Sequence, residues 1–205
     1  MICLASASPR RKALLEQIGV PVTVMPCDID ETVQAGEEAS VYVERMAREK
    51  AEAACSRVSD QVVVAADTVV VCGDRVLGKP ADREQALATL RLLSGNQHRV
   101  MTAVAVRLGQ RHRLIRVDTR VHFRTLGEAE MSAYWDTGEP ADKAGSYAIQ
   151  GRGAVFVERI DGSYSAVVGL PLMETAAVLA GFGVSCWQSV AQNLASGDHR
   201  NGTSR

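Results

Sequence analysis

The stretch VVVAADTVVVCGDRVLGK, from Val62 to Lys79, decides how the rest of the chain is read. Its first half is a run of β-branched and small apolar residues, the pattern of a strand covered on both faces. An acid and a hydroxyl, Asp67 and Thr68, interrupt that run. A carboxylate inside a buried strand forfeits its hydration unless a cation or a metal compensates it, so Asp67 is a candidate functional group. The plainer alternative puts it at a frayed strand end or a bulge, bonded to nearby amides. Gly73-Asp74 reads as a hairpin turn. Gly73 to Lys79, GDRVLGK, matches the opening positions of a phosphate-binding P-loop, but Pro80 stands where that motif needs Ser or Thr. Proline also biases Lys79 away from helix. The P-loop is rejected, and Lys79 remains a candidate phosphate contact.

Towards the N-terminus, Ile2 to Ala5 forms a short strand followed by SASPRRKALLEQIG. Ser8 is a good N-cap, Pro9 suits the first helical position, and Gly19 ends the helix. Arg10, Arg11 and Lys12 in the first turn oppose the helix dipole unless an anion docks there. Solvated surface cations are the alternative. Pro21 to Met25 is a second strand, leading into the acidic loop Asp28-Ile29-Asp30-Glu31. Its oxygens suit a hard divalent cation, although such a loop is equally a solvated surface. Ser40 caps a helix running to about Arg57, with an apolar stripe at Val43, Met46, Ala47 and Ala54. Lys50 falls on that stripe and must either meet an anion or snorkel to water.

Towards the C-terminus, Asp82 and Gln85 form a capping box for a helix ending at Leu93. His98 to Leu108 and Arg113 to Arg124 are strands, and Thr125 with Glu128 opens a short helix carrying Met131, Tyr134 and Trp135 on one side, its aromatics serving as core or a subunit contact. Ser94, His98 and Thr102 read most plainly as turn or satisfied edge groups. Gly138 to Gly153, GEPADKAGSYAIQGRG, is a long glycine-rich loop holding Asp142, Lys143 and Gln150; loops of this length are functional or mobile. A strand at Ala154 to Ile160, a turn, a short apolar piece at Ala166 to Val168 and a last helix from Pro171 to about Gly181 complete the order.

Hydrophobic residues make up 46% and charged residues 23% of the 205, with a net charge of −1. This is the composition of an ordinary globular protein, and it provides no overall field for nucleic acid or a membrane. Five cysteines without metal spacing fit a reducing compartment. There is no signal-like or membrane-spanning run, so a cytoplasmic protein is expected. Residues 1–184 read as a single domain and 185–205 as a polar, disordered tail.

Taken together, SASPRR, REK, AADTVV, GKP, SGNQHRVMT, DKAGSYAIQGRGA and GSYSAVVGLPL stand in the order and spacing of the Maf family, over roughly residues 2 to 183. The resemblance implies a nucleoside triphosphate pyrophosphatase. It implies an α/β fold, a curved mixed β-sheet with flanking helices and two lobes around a deep cleft, similar to inosine triphosphate pyrophosphatases. A homodimer and a divalent cation, magnesium or manganese, are implied with it. By the same resemblance Asp67 is the proton acceptor and, with Glu31, a metal contact. Arg10, Thr68 and Gln150 select the substrate, and Ser8, Arg11, Lys50 and Lys79 line the phosphate end. At the three selecting positions the chain resembles the dTTP/UTP branch; the 7-methyl-GTP branch tends to carry Trp, Gln and Glu there.

The residue chemistry agrees. A base or a metal must activate water, cations must neutralise a triphosphate, and the Gln150 amide offers a donor and an acceptor to an imide edge. The alternatives are a 7-methyl-GTP pyrophosphatase and a nucleotide-binding regulator of cell division without turnover.

Overall fold

The computed structural model describes residues 1–58 and 60–187. The apolar runs pair into one seven-stranded, mostly antiparallel sheet. Its strands are β1 (Ile2–Leu4), β2 (Val22–Val24), β3 (Val63–Cys72), β4 (Arg75–Leu77), β5 (Gln97–Leu108), β6 (Arg111–Phe123) and β7 (Val157–Asp161). The order is β2-β1-β3-β5-β6-β7, with β4 also on β3. The helices are α1 (Pro9–Gln17), α2 (Ala39–Cys55), α3 (Arg83–Leu93), α4 (Glu128–Asp136), α5 (Tyr164–Val168) and α6 (Leu172–Gly181).

Strand β3 is the axis. Along one edge it pairs with β5 from Val63 to Val71. Along the other it changes neighbour: Val63 and Val64 lie parallel to β1, whereas Val70 to Cys72 lie antiparallel to β4. Among the described residues no strand fills the interval between, and Asp67 and Thr68 sit there. An open α/β sheet binds ligands at such a change of connection, where flanking segments part.

Alternation along β3 sends its side chains to two different layers. Val63, Ala65, Val69 and Val71 pack with Val43, Ala47, Ala51 and Ala54 of α2. On the opposite face, Val64 and Ala66 join Leu14, Leu15 and Leu179 from α1 and α6. Val70 and Cys72 instead join Leu87, Leu90, Met131 and Tyr134 from α3 and α4. Thr68 falls at the seam between those two cores, which are the two lobes.

Several local expectations are corrected. Glu38, not Ser40, is the N-cap of α2; the Ser40 hydroxyl donates to the Glu38 carboxylate at 3.4 Å from inside the helix. Helix α4 starts after Gly127 rather than Thr125, because Glu130 reaches back to the Gly127 N–H at 2.7 Å while Glu128 is taken by Arg91. Strand β7 starts at Val157, since Arg152–Phe156 winds into a 3-10 turn that buries Phe156. The apolar piece after it is helix α5, capped by Ser163, whose hydroxyl accepts from the Ala166 N–H at 3.2 Å. The caps expected at Ser8 and Asp82 are present. The expected disordered tail falls, from residue 188 onward, outside the described residues.

Candidate active site

Because Asp67 has the parity of Val63 and Val69, its carboxylate points towards α2. Lys50 stands on the buried stripe of that helix, and its ammonium meets Asp67 Oδ1 at 2.8 Å. The same ammonium meets Glu31 Oε1 at 2.8 Å. Only 12% of the Lys50 side chain and 14% of the Asp67 side chain are exposed, so both groups are compensated in a largely dehydrated place. Lys50 therefore has its anionic partners and does not snorkel. Glu31 is delivered by its loop: the Tyr42 hydroxyl donates to the Glu31 carbonyl at 3.0 Å, and Arg45 donates to the Thr32 carbonyl at 3.0 Å. Asp30, in contrast, accepts from the Thr32 N–H and takes no part. Of the acidic loop, Glu31 is the carboxylate that reaches the cleft.

Thr68 faces the other way. Arg11 extends from the first turn of α1 and donates to Gly169 O at 2.9 Å, Ser6 Oγ at 3.2 Å and Thr68 Oγ1 at 3.1 Å. Burial pulls the Arg11 guanidinium below its usual pKa, with Asp67 opposing the shift; arginine remains a cation in proteins regardless. Thr68 Oγ1 lies 3.0 Å from Thr102 Oγ1, and Thr102 donates to Ala166 O at 2.7 Å. The ends fix the direction of this chain, since a guanidinium only donates and a carbonyl only accepts. The Thr102 proton is committed to Ala166, so the Thr68 proton goes to Thr102. Thr68 can then offer a ligand only an accepting lone pair. Gly169 closes the arrangement with a φ of +128°, a backbone conformation suited to glycine.

These two constellations open onto one cleft of about 750 Å³, which all nine residues singled out from the sequence line. Ser8 accepts from the Arg11 N–H at 3.4 Å and itself donates its N–H to Ser6 Oγ at 3.2 Å. Arg10 crosses the mouth to Asp142 at 3.6 Å, and Lys12 turns away to Glu16 on the surface. Lys79 is exposed on the loop after β4, with no helix until Arg83, as the rejection of a P-loop requires. Gln150 is exposed on the opposite wall with its amide unengaged among the described residues.

Among the described residues no group of three or more His, Cys, Asp or Glu side chains converges as a metal cage. The donor set nonetheless fits a cation of the magnesium type: Asp67 and Glu31 already converge on one positive centre, and such ions take their remaining ligands from phosphates and water.

Sequence reasoning missed the Gly169 carbonyl and read Thr102 only as a turn or satisfied edge group. Thr102 is fully buried opposite Thr68 in the β3–β5 register. Its β-strand position was legible, but the pairing that places it behind Thr68 was not.

Comparison with known proteins now bears on this geometry. The chain is 49% identical over 189 residues to a dTTP/UTP pyrophosphatase of Hahella chejuensis, covering 91% of this chain and 94% of that one. It is 50% identical over 184 residues to a dTTP/UTP pyrophosphatase of Pseudoalteromonas atlantica (88% and 96%) and 53% identical over 179 residues to that of Myxococcus xanthus (87% and 91%). The family described as Maf-like protein matches residues 1–182, which takes in every strand and helix of the sheet and both walls of the cleft, and the chain belongs to that family.

Proposed function

We propose that the chain is a nucleoside triphosphate pyrophosphatase acting on dTTP and UTP, releasing the monophosphate and pyrophosphate. The observation that carries this reading is the Asp67–Lys50–Glu31 triad opening onto the same cleft as Arg11 and the N-terminus of α1. Asp67 spends one oxygen on Lys50, and its other oxygen has no protein partner among the described residues. That oxygen takes a proton from a water aimed at the α-phosphorus. A bond forms from the water oxygen to phosphorus, the bridging bond to the β-phosphate breaks, and pyrophosphate leaves with the electron pair. Arg11, Arg10 and Lys79, with the Arg10 N–H in the first turn of α1, neutralise the phosphates as charge develops. Lys50 is engaged by the two carboxylates, so it acts on them rather than as a free phosphate clamp. Asp67 and Glu31 would hold a magnesium or manganese ion, which when bound lends charge to the phosphates and lowers the pKa of water.

Base selection rests on Gln150, which can match the acceptor and donor of a uracil or thymine imide edge. A homodimer is proposed on the family resemblance alone, and light scattering would test it. The experiment for the reaction is pyrophosphate release from dTTP, UTP, CTP, GTP and 7-methyl-GTP, with magnesium or manganese and with chelator. Metal-dependent release confined to dTTP and UTP is expected. Release from 7-methyl-GTP alone would overturn the base assignment, and nucleotide binding without release would favour the regulator.

A further inference from the structure

Gln150 presents a free amide, yet the backbone on each side of it is pinned. Before it, the Ala148 N–H donates to the Tyr134 hydroxyl at 3.0 Å. After it, the Arg152 and Gly153 N–H groups donate to the Glu139 carboxylate at 3.0 and 3.1 Å. The two anchors are themselves joined, because the Tyr134 hydroxyl donates to Glu139 Oε1 at 2.7 Å. Within the bracket the Gly151 N–H closes a turn on the Ala148 carbonyl at 3.1 Å. A β-carbon at Gly153 would come within 2.7 Å of the Tyr134 hydroxyl, so the loop lies against its anchor with no room for a side chain. Tyr134 is buried and stacks edge-on against Phe156, with ring centres 4.9 Å apart. Burial alone would raise the Glu139 carboxyl, but the bonds from Tyr134, Arg152 and Gly153 outweigh it and leave the group below its ordinary pKa.

We propose that Tyr134 and Glu139 are positioning residues for base recognition: together they hold the turn that presents Gln150, and so set the preference for a pyrimidine with an imide edge. This rests on the pyrophosphatase reading above. An amide reads a base edge only while its direction is held, since ordering it on binding would consume the gain. A tie that served folding alone could sit anywhere along the loop. Here the three pinned N–H groups bracket the single residue whose amide is open to the cleft.

The test is a double-mutant cycle of Tyr134→Phe and Gln150→Ala, with kcat and KM measured for UTP and CTP. Tyr134→Phe keeps the ring against Phe156 and removes only the hydroxyl, and Glu139→Gln is a second route to the same break. Each is expected to raise KM for UTP about tenfold, as one lost buried hydrogen bond allows, with kcat within about twofold. The UTP-over-CTP preference falls by the same factor, and the double variant loses no more preference than Gln150→Ala alone. Preference losses that simply add, or equal changes for both nucleotides, would overturn the proposal while leaving the reaction intact. An unmutated enzyme with no turnover of either nucleotide would overturn the underlying reading and the proposal with it.

Discussion

Asp67 and Thr68 are neighbours in the chain but work in different media. On the α2 face, two carboxylates share one ammonium at 2.8 Å each, and the energetics are those of charges compensating charges. On the opposite face a cation feeds a chain of neutral hydroxyls that ends at a carbonyl, and the information lies in the direction of the protons. A strand separates the two without effort, because successive residues point to opposite sides. Under the proposed reaction, proton removal and substrate grip can therefore be altered one at a time.

The sharpest way to break this comparison is Asp67→Asn. It keeps the shape of the charged face but removes the base, so turnover should fall about a thousand-fold with the melting temperature nearly unchanged. A folded variant with near-normal rate in a pyrophosphate-release assay would sink the assignment.

Acid tests the other face. His98 lies on the Thr68 side of the sheet, buried against Tyr147 at 2.8 Å, and burial lowers its pKa from 6.5 to about 4. The unfolded chain binds that proton near pH 6.5 and the folded chain does not, so stability falls as pH drops from 6.5 towards 4. The loss should reach about 3 kcal/mol near the lower end. Urea unfolding across that window should show it, and His98→Gln should flatten it. An unchanged slope in the variant would refute the link.

Arg11→Lys follows in size. One ammonium cannot reproduce the planar fork that serves Gly169, Ser6 and Thr68 together. KM should rise about tenfold while kcat changes less, by the cost of a lost charge-assisted bond; a loss confined to kcat would place Arg11 in the chemistry instead. Smallest is Thr102→Val, which leaves the Ala166 carbonyl without its donor and frees the Thr68 proton. We expect about 1 kcal/mol of destabilisation, read by thermal unfolding, with recovery in Thr102→Ser. Valine as stable as threonine would show that the chain of hydroxyls carries no weight.

Much of this was legible beforehand, for physical reasons that differ by residue. The helix caps at Ser8 and Asp82 are local, and local signals survive folding. Asp67 announced itself as a charge inside an apolar run, and Lys50 as a cation on an apolar stripe; two such anomalies of opposite sign are each other's answer. The cap at Thr125 misled because Glu130 reaches back to the Gly127 N–H, and that at Ser40 because the helix starts two residues earlier, after Glu38. Thr102, the Gly169 carbonyl and the Tyr134–Glu139 bracket were out of reach, since each depends on which distant backbone lies alongside. Tyr134 in particular reads as core, and its ring is core; its hydroxyl is what ties the loop around Gln150.

The bond from Arg11 to the carbonyl of Gly169 spans 158 residues. Glu31, Lys50 and Asp67, by contrast, come from one early interval of the chain. On the ribosome, therefore, Arg11 and the proposed base with its partners all emerge well before Gly169, the segment that orients the Arg11 guanidinium. Under the proposed reaction, a chain that ends before Gly169 lacks the carbonyl that fixes Arg11 beside the cleft. The order of synthesis thus keeps the reaction waiting until the molecule is nearly whole.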